Sequence, residues 1–184
     1  DDRLIYDSGI KEANTYCQAW TKLLLVQIEN ANWVIKDIYG NDRTVQPNAV
    51  NFFVKANVGN SGFGLIIGSG GDGGNSHVFR YDLTAPYGEV DFSHSAMTVN
   101  TPVYDTSYSS ITLYREFTNV SGIPKIVNEN GLVCRAKDSD GNDRSFLIVY
   151  ILPTPVNVGN GQKYKLTAKI GITRMSDKQI YLNQ

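Results

Sequence analysis

The chain has 184 residues and a formal net charge of −1. That length suits one domain able to bury its own core, and that charge offers no field for general nucleic-acid binding. No apolar run approaches membrane-spanning length, and two Cys and two His without a CxxC pair leave no zinc-site pattern.

Eleven Tyr and seventeen Gly, with many Asn, Ser and Thr, favour strands joined by polar loops. Residues 1–10 carry a short apolar patch, Leu4, Ile5 and Tyr6. They read as an arm or an edge strand, and as a candidate contact with a neighbouring subunit. Residues 11 to about 29 follow as the single predicted helix (12–29 at its narrowest). Ala13, Tyr16, Cys17, Trp20, Leu23, Leu24 and Ile28 recur at spacings of three and four, and Ser8 is the candidate N-cap. Residues 32–45 read as a hairpin turning at Gly40-Asn41-Asp42. The tetrapeptide Gly40-Asn41-Asp42-Arg43 recurs as Gly141-Asn142-Asp143-Arg144. Both copies stand between strand-like runs, so they read as one turn solution used twice.

Residues 50–55 and 64–67 are further apolar runs. Residues 68–76 contain five Gly; without a following Lys-Ser/Thr they are a surface loop rather than a phosphate cradle. Strand signals return at 88–92 and 96–103, separated from the next run by a Tyr-Ser-Thr connector. Four apolar runs then follow: 111–117, 126–136, 145–152 and 163–172. In the last, Tyr164, Leu166, Ala168 and Ile170 alternate with Lys163, Lys165, Thr167 and Lys169, one face buried and one wet. The lysines read as a solvated face or a protected edge. About eight to ten strands without helical crossovers predict a single antiparallel β-sandwich, immunoglobulin-like or jelly-roll-like, over residues 11–184, with one N-terminal amphipathic helix. Its expected core includes Trp20, Leu24, Ile28, Leu132, Leu147, Val149, Leu166 and Ile170.

Candidate chemistry is sparse. Asp138, Asp140, Asn142 and Asp143 are candidate calcium ligands, because a hard cation takes several oxygens from a tight turn. The pattern departs from an EF-hand: Asp143 stands where Gly is needed, and Val149 where a bidentate Glu is needed. A polar hairpin turn accounts for the same residues, so no metal or other cofactor is expected. His77 and His94, with Asp72, Asp82, Asp91 and Ser93 nearby in sequence, carry no nucleophile elbow; they read as polar loop residues, and the chain as a non-enzyme. Glu129, flanked by apolar strand positions, reads as a structural carboxylate bonded to a turn or paired with Arg115 or Arg135. Cys17 and Cys134 fall on apolar faces and read as buried thiols. Tyr39, Tyr81, Tyr87, Tyr104 and Tyr108 lie in or beside loops. The last four, concentrated between 81 and 108, are candidate interface or binding residues.

The order Phe117-Thr118-Asn119-x-Ser121-Gly122, then Val127-Asn128-Glu129-x-Gly131-Leu132, then Phe146 to Val158 with its Leu-Pro-x-Pro-Val-x-Val ending, resembles a set of tailed-bacteriophage virion proteins of tail, neck or decoration type. The resemblance covers the last third best. Earlier it holds in outline, as a helix followed by Leu65 to Gly70. It implies a β fold and a virion setting, with partners that are other copies of the chain and other virion proteins. A carbohydrate- or receptor-binding module acting on a host-surface glycan is the alternative that the Tyr-rich loops support. A secreted filament subunit or adhesin, extracellular or at a cell surface, is a further one. No nucleic acid and no membrane insertion are expected.

Overall fold

The computed structural model describes residues 15–28, 31–47, 52–71, 79–101, 103–104 and 108–173. The proposed arm with Leu4, Ile5 and Tyr6, the candidate cap Ser8, His77 and Asp72 lie outside them. The chain is mainly β. In order come β1 (Thr15–Tyr16), α1 (Gln18–Ile28), β2 (Trp33–Lys36), β3 (Asp42–Val45), β4 (Gly64–Gly68), β5 (Phe92–His94), β6 (Thr98–Val99) and β7 (Val103–Tyr104). There follow β8 (Tyr108–Asn119), β9 (Lys125–Val127), β10 (Glu129–Lys137), β11 (Asp143–Ile151), β12 (Val156–Val158) and β13 (Lys163–Thr173). Thirteen described strands exceed the expected eight to ten because six of them are only two or three residues long.

Two larger antiparallel sheets carry the fold. One has the order β1-β11-β10-β4, the other β13-β8-β5, with β6 and β7 also paired to β8. They are stacked: Asn130 Nδ2 of β10 donates to the Tyr164 hydroxyl of β13 at 3.1 Å, and Arg115 of β8 reaches the Leu65 carbonyl of β4 at 2.9 Å. Their burial patterns differ in kind. In β13 Leu166 is buried, and Tyr164, Ala168 and Ile170 are half-buried, between exposed Lys163, Lys165, Thr167 and Lys169. That is the alternation of a sheet covered on one side. Every residue of β4, and five in a row of β11, are buried, so the four-stranded sheet is covered on both faces. Its apolar runs are unbroken for that reason.

The helix begins later than its periodicity predicts. Thr15 and Tyr16 pair with Tyr150 and Val149, and the Cys17 amide donates to the Ile148 carbonyl at 3.0 Å. These residues belong to the sheet ladder, so helical bonding starts only beyond them. Cys17, Ala19, Leu23 and Val26 are buried, Trp20 is partly buried, and Leu24 faces outward. Leu132, Leu147, Val149 and Leu166 belong to the core as expected, while Ile170 is partly buried. Cys17 and Cys134 are both buried and neither is in a disulfide. The run at 52–55 contributes only a single bridge, Phe53 to Arg135.

Candidate functional site

The densest gathering of chemistry lies where β10 starts. Glu129 is fully buried. Its Oε1 accepts the Gly70 amide at 3.0 Å and the Ala85 amide at 2.7 Å; its Oε2 accepts the Thr84 amide at 2.9 Å and the Tyr150 hydroxyl at 3.2 Å. Four donors on one carboxylate meet its hydrogen-bonding capacity in a buried site. The cradle fits only because its wall lacks side chains: a Cβ at Gly70 would stand 2.5 Å from Oε1, and one at Gly68 2.6 Å from it. The expected bond of Glu129 to a turn is therefore present, but to residues distant in sequence rather than to Arg115 or Arg135. Arg135 lies over the Phe63 ring at 3.9 Å.

Around this knot stand Arg80, whose guanidinium carbon is 4.8 Å from the centre of the Tyr150 ring, and Thr84, bonded to the Gly71 carbonyl at 3.1 Å. Burial pushes the Asp82 carboxyl up to about 6, with the Glu129 charge adding to it against the Leu83 amide. Burial pushes the Cys17 thiol up to about 12 despite nearby Arg80, and that of Cys134 likewise to about 12. Neither is a thiolate nucleophile at neutral pH. With both Glu129 oxygens doubly bonded, the arrangement orders the loops at 70–71 and 82–85; it leaves that carboxylate no lone pair aimed at a substrate.

His94, expected as a loop residue, is instead fully buried in β5 beside a second buried charge. Its Nδ1 lies 3.0 Å from Glu89 Oε1, yet neither ring nitrogen makes a hydrogen bond of good geometry. The ring meets Phe117 edge-on at 5.2 Å between centroids. Arg115, also fully buried, donates to five carbonyls: Ser95, Phe63, Leu65, Asn57 and Asn60. Burial brings Arg115 down to about 10, partly countered by Glu89. The guanidinium thus stitches the 57–65 segment to β8. Sequence reading misses this role, because carbonyl partners carry no side-chain signature.

Two of the calcium candidates, Asp138 and Asp143, have other partners. Asp138 accepts the Asp140 and Asn142 amides at 3.0 and 2.8 Å and Arg144 Nε at 2.7 Å. Lys137 bonds Asp143 at 3.0 Å. Asp37 makes the same set with Tyr39, Asn41 and Arg43, and Lys36 with Asp42. Burial raises both aspartates, but the arginine and the amides more than offset it, so both stay below the usual carboxylate range. Among the described residues no group of three or more His, Cys, Asp and Glu could hold a metal ion.

Of the tyrosine candidates, Tyr87 is turned inward: its hydroxyl donates to the Ile126 carbonyl at 2.9 Å and its ring lies 5.0 Å from that of Phe92. Tyr81 is exposed and covers Gly40, and Tyr39 at the neighbouring hairpin tip is 79% exposed. Tyr104 and Tyr108 place their backbones in β7 and β8. Exposed apolar side chains that the sequence reading did not single out lie on the 88–91 turn and the 120–126 connection. Val90 (82% exposed) precedes Asp91, whose carbonyl accepts the amide of exposed Val120 at 3.0 Å, and Ile123 (58%) and Ile126 follow on the same connection. The Asn119 side chain holds that connection, donating to the Ile123 carbonyl at 2.8 Å and the Val158 carbonyl at 2.7 Å.

Among the described residues no helix is long and apolar enough to cross a membrane. Compared with known proteins, the chain matches no family model, no curated protein and no solved structure.

Proposed function

We propose that this chain is a non-enzymatic structural protein of a phage virion, a tail, neck, fibre or head-decoration component that works by repeated self-association or by docking to other virion subunits. The observation that carries the reading is the set of exposed apolar side chains Val90, Val120, Ile123 and Ile126, on two loops that the Val120 amide ties together at Asp91. Exposed apolar side chains on adjoining loops suit a surface that a neighbour covers. The residues behind the virion resemblance support it in a second way. Asn119 and Glu129 are committed to backbone hydrogen bonds, as expected of motifs that specify architecture rather than a reaction.

Sedimentation velocity over a rising concentration series tests this reading. The wild-type chain is expected to form a defined oligomer, and the Val90→Asp/Ile123→Asp pair is expected to remain monomeric with an unchanged melting temperature. A wild-type chain that stays monomeric throughout and is absent from particles overturns it. Exposed Tyr39 beside Tyr81 favours the second reading, a host-glycan-binding module. A monomer that binds a glycan array through Tyr39 would make that the leading one.

A further inference from the structure

We infer that His94 is an acid-released latch on the segment 57–63. The device is internal and holds whatever covers those apolar loops. A buried polar group without a partner is costly, and few occur in native domains. Here both nitrogens of a fully buried imidazole lack one, although a carboxylate stands 3.0 Å away on the half-exposed Glu89. The ring is held neutral by what surrounds it. From β8 it faces the Arg115 guanidinium and the Phe117 ring; from the 88–91 loop it faces Glu89. From the 57–60 loop it receives only the Gly59 amide, which donates to the His94 carbonyl at 2.9 Å. Burial, with Arg115 adding, brings the imidazole down to about 4, against the opposing Phe92 backbone.

Protonation changes the balance at one point. A second buried cation then lies beside Arg115, and Glu89 is the nearest anion able to swing in. Arg115 is also what grips the Asn57 and Asn60 carbonyls, at 3.4 and 2.6 Å. Repulsion between the two cations is relieved either by Arg115 loosening that grip or by His94 leaving its site. His94 also anchors Gly59 through its own carbonyl, so both routes free the same loop. That loop carries exposed Val58 (72%), so opening it alters the apolar surface presented at low pH. The charge change is local, and the element it biases is the 57–62 loop, hinged on buried Phe63 under Arg135.

Amide hydrogen exchange of the full chain tests the latch, corrected for the intrinsic pH dependence of exchange and referenced to β10 and β11. Between pH 7 and pH 4.5 the opening of residues 57–63 is expected to rise on the order of tenfold or more while the reference strands hold. His94→Phe is expected to abolish the rise. Glu89→Gln is expected to enlarge the rise at pH 4.5, since the anion able to stabilise the protonated ring in place is gone. An equal rise in His94→Phe overturns the proposal. Should that variant fail to fold, the wild-type imidazole decides by NMR titration. A midpoint below 5 together with shifts in the 57–63 amides supports the latch. A midpoint near 6.5, or a titration that leaves those amides unmoved, overturns it.

Discussion

Asp82 and His94 titrate over overlapping intervals with opposite consequences for the fold. The His94 imidazole is brought from 6.5 down to about 4 by burial and by Arg115. Its contribution to stability is therefore complete above 6.5 and is lost as pH falls through 4. The Asp82 carboxyl is raised from 3.8 to about 6 by burial and by Glu129. Its contribution is complete below 3.8 and is lost as pH rises through 6. Each shift corresponds to about 3 kcal/mol, so between pH 4 and 6 the two slopes largely cancel. Asp82→Asn removes one slope, and its unfolding free energy is expected to fall by about 3 kcal/mol from pH 6.5 to 4 through His94. His94→Phe leaves the opposite trend, with stability rising on acidification. Urea midpoints across that range check both signs; parallel profiles for the two variants would refute the assignment. None of this was legible in the sequence. Glu129 was recognisable as a structural carboxylate, but its partners lie 21 to 59 residues away, and its nearest sequence candidates, Arg115 and Arg135, are held elsewhere.

At the scale of elements, the echoed tetrapeptide proved more informative than a turn. Lys36-Asp37 and Lys137-Asp138 extend it, and both hairpins build the same aspartate-centred turn. The two copies also dock on each other reciprocally. The Ile38 amide donates to the Ser145 carbonyl at 3.0 Å, and the Ser139 amide to the Thr44 carbonyl at 2.7 Å. Positions 38 and 139 correspond in the echo, as do 44 and 145, so the pair has a local two-fold relation within one chain. Gly40 and Gly141 both have positive φ, +77° and +79°, and a Cβ at Gly141 would meet nothing within 4 Å. Gly141→Ala therefore isolates backbone strain from packing. It is expected to cost about 1–2 kcal/mol, with Gly141→Asn costing less because Asn tolerates that region. Equal denaturation midpoints for Gly141→Ala and wild type would count against the turn geometry. The turns were legible because their chemistry is local. The helix start was not, because periodicity cannot register that Cys17 donates its amide to a strand more than a hundred residues away.

At the scale of the molecule, the sequence separated two kinds of strand without saying so. β13 alternates, and its lysine row marks a sheet with one wet face; β4 and β11 do not alternate, because they lie between two layers. The β-rich class was readable from these runs, while the layer order was not, since it depends on pairings such as β4 with β10 across some sixty residues. This layering bears on the N-terminal segment. The described framework begins with Thr15 and Tyr16 on β11, and the buried cluster begins at Cys17. If the chain acts by holding its neighbours, a segment carrying three apolar residues between Asp2 and Asp7 is suited to a contact between subunits, and ordering it there has an entropic cost that weakens assembly. Removing residues 1–10 is therefore expected to leave circular dichroism and melting temperature essentially unchanged while lowering the oligomer fraction at a given concentration. A truncated chain that assembles like wild type would remove the arm from the interface and leave the Val90 and Ile123 loops to account for self-association. A truncated chain that no longer melts cooperatively would place those residues in the fold itself.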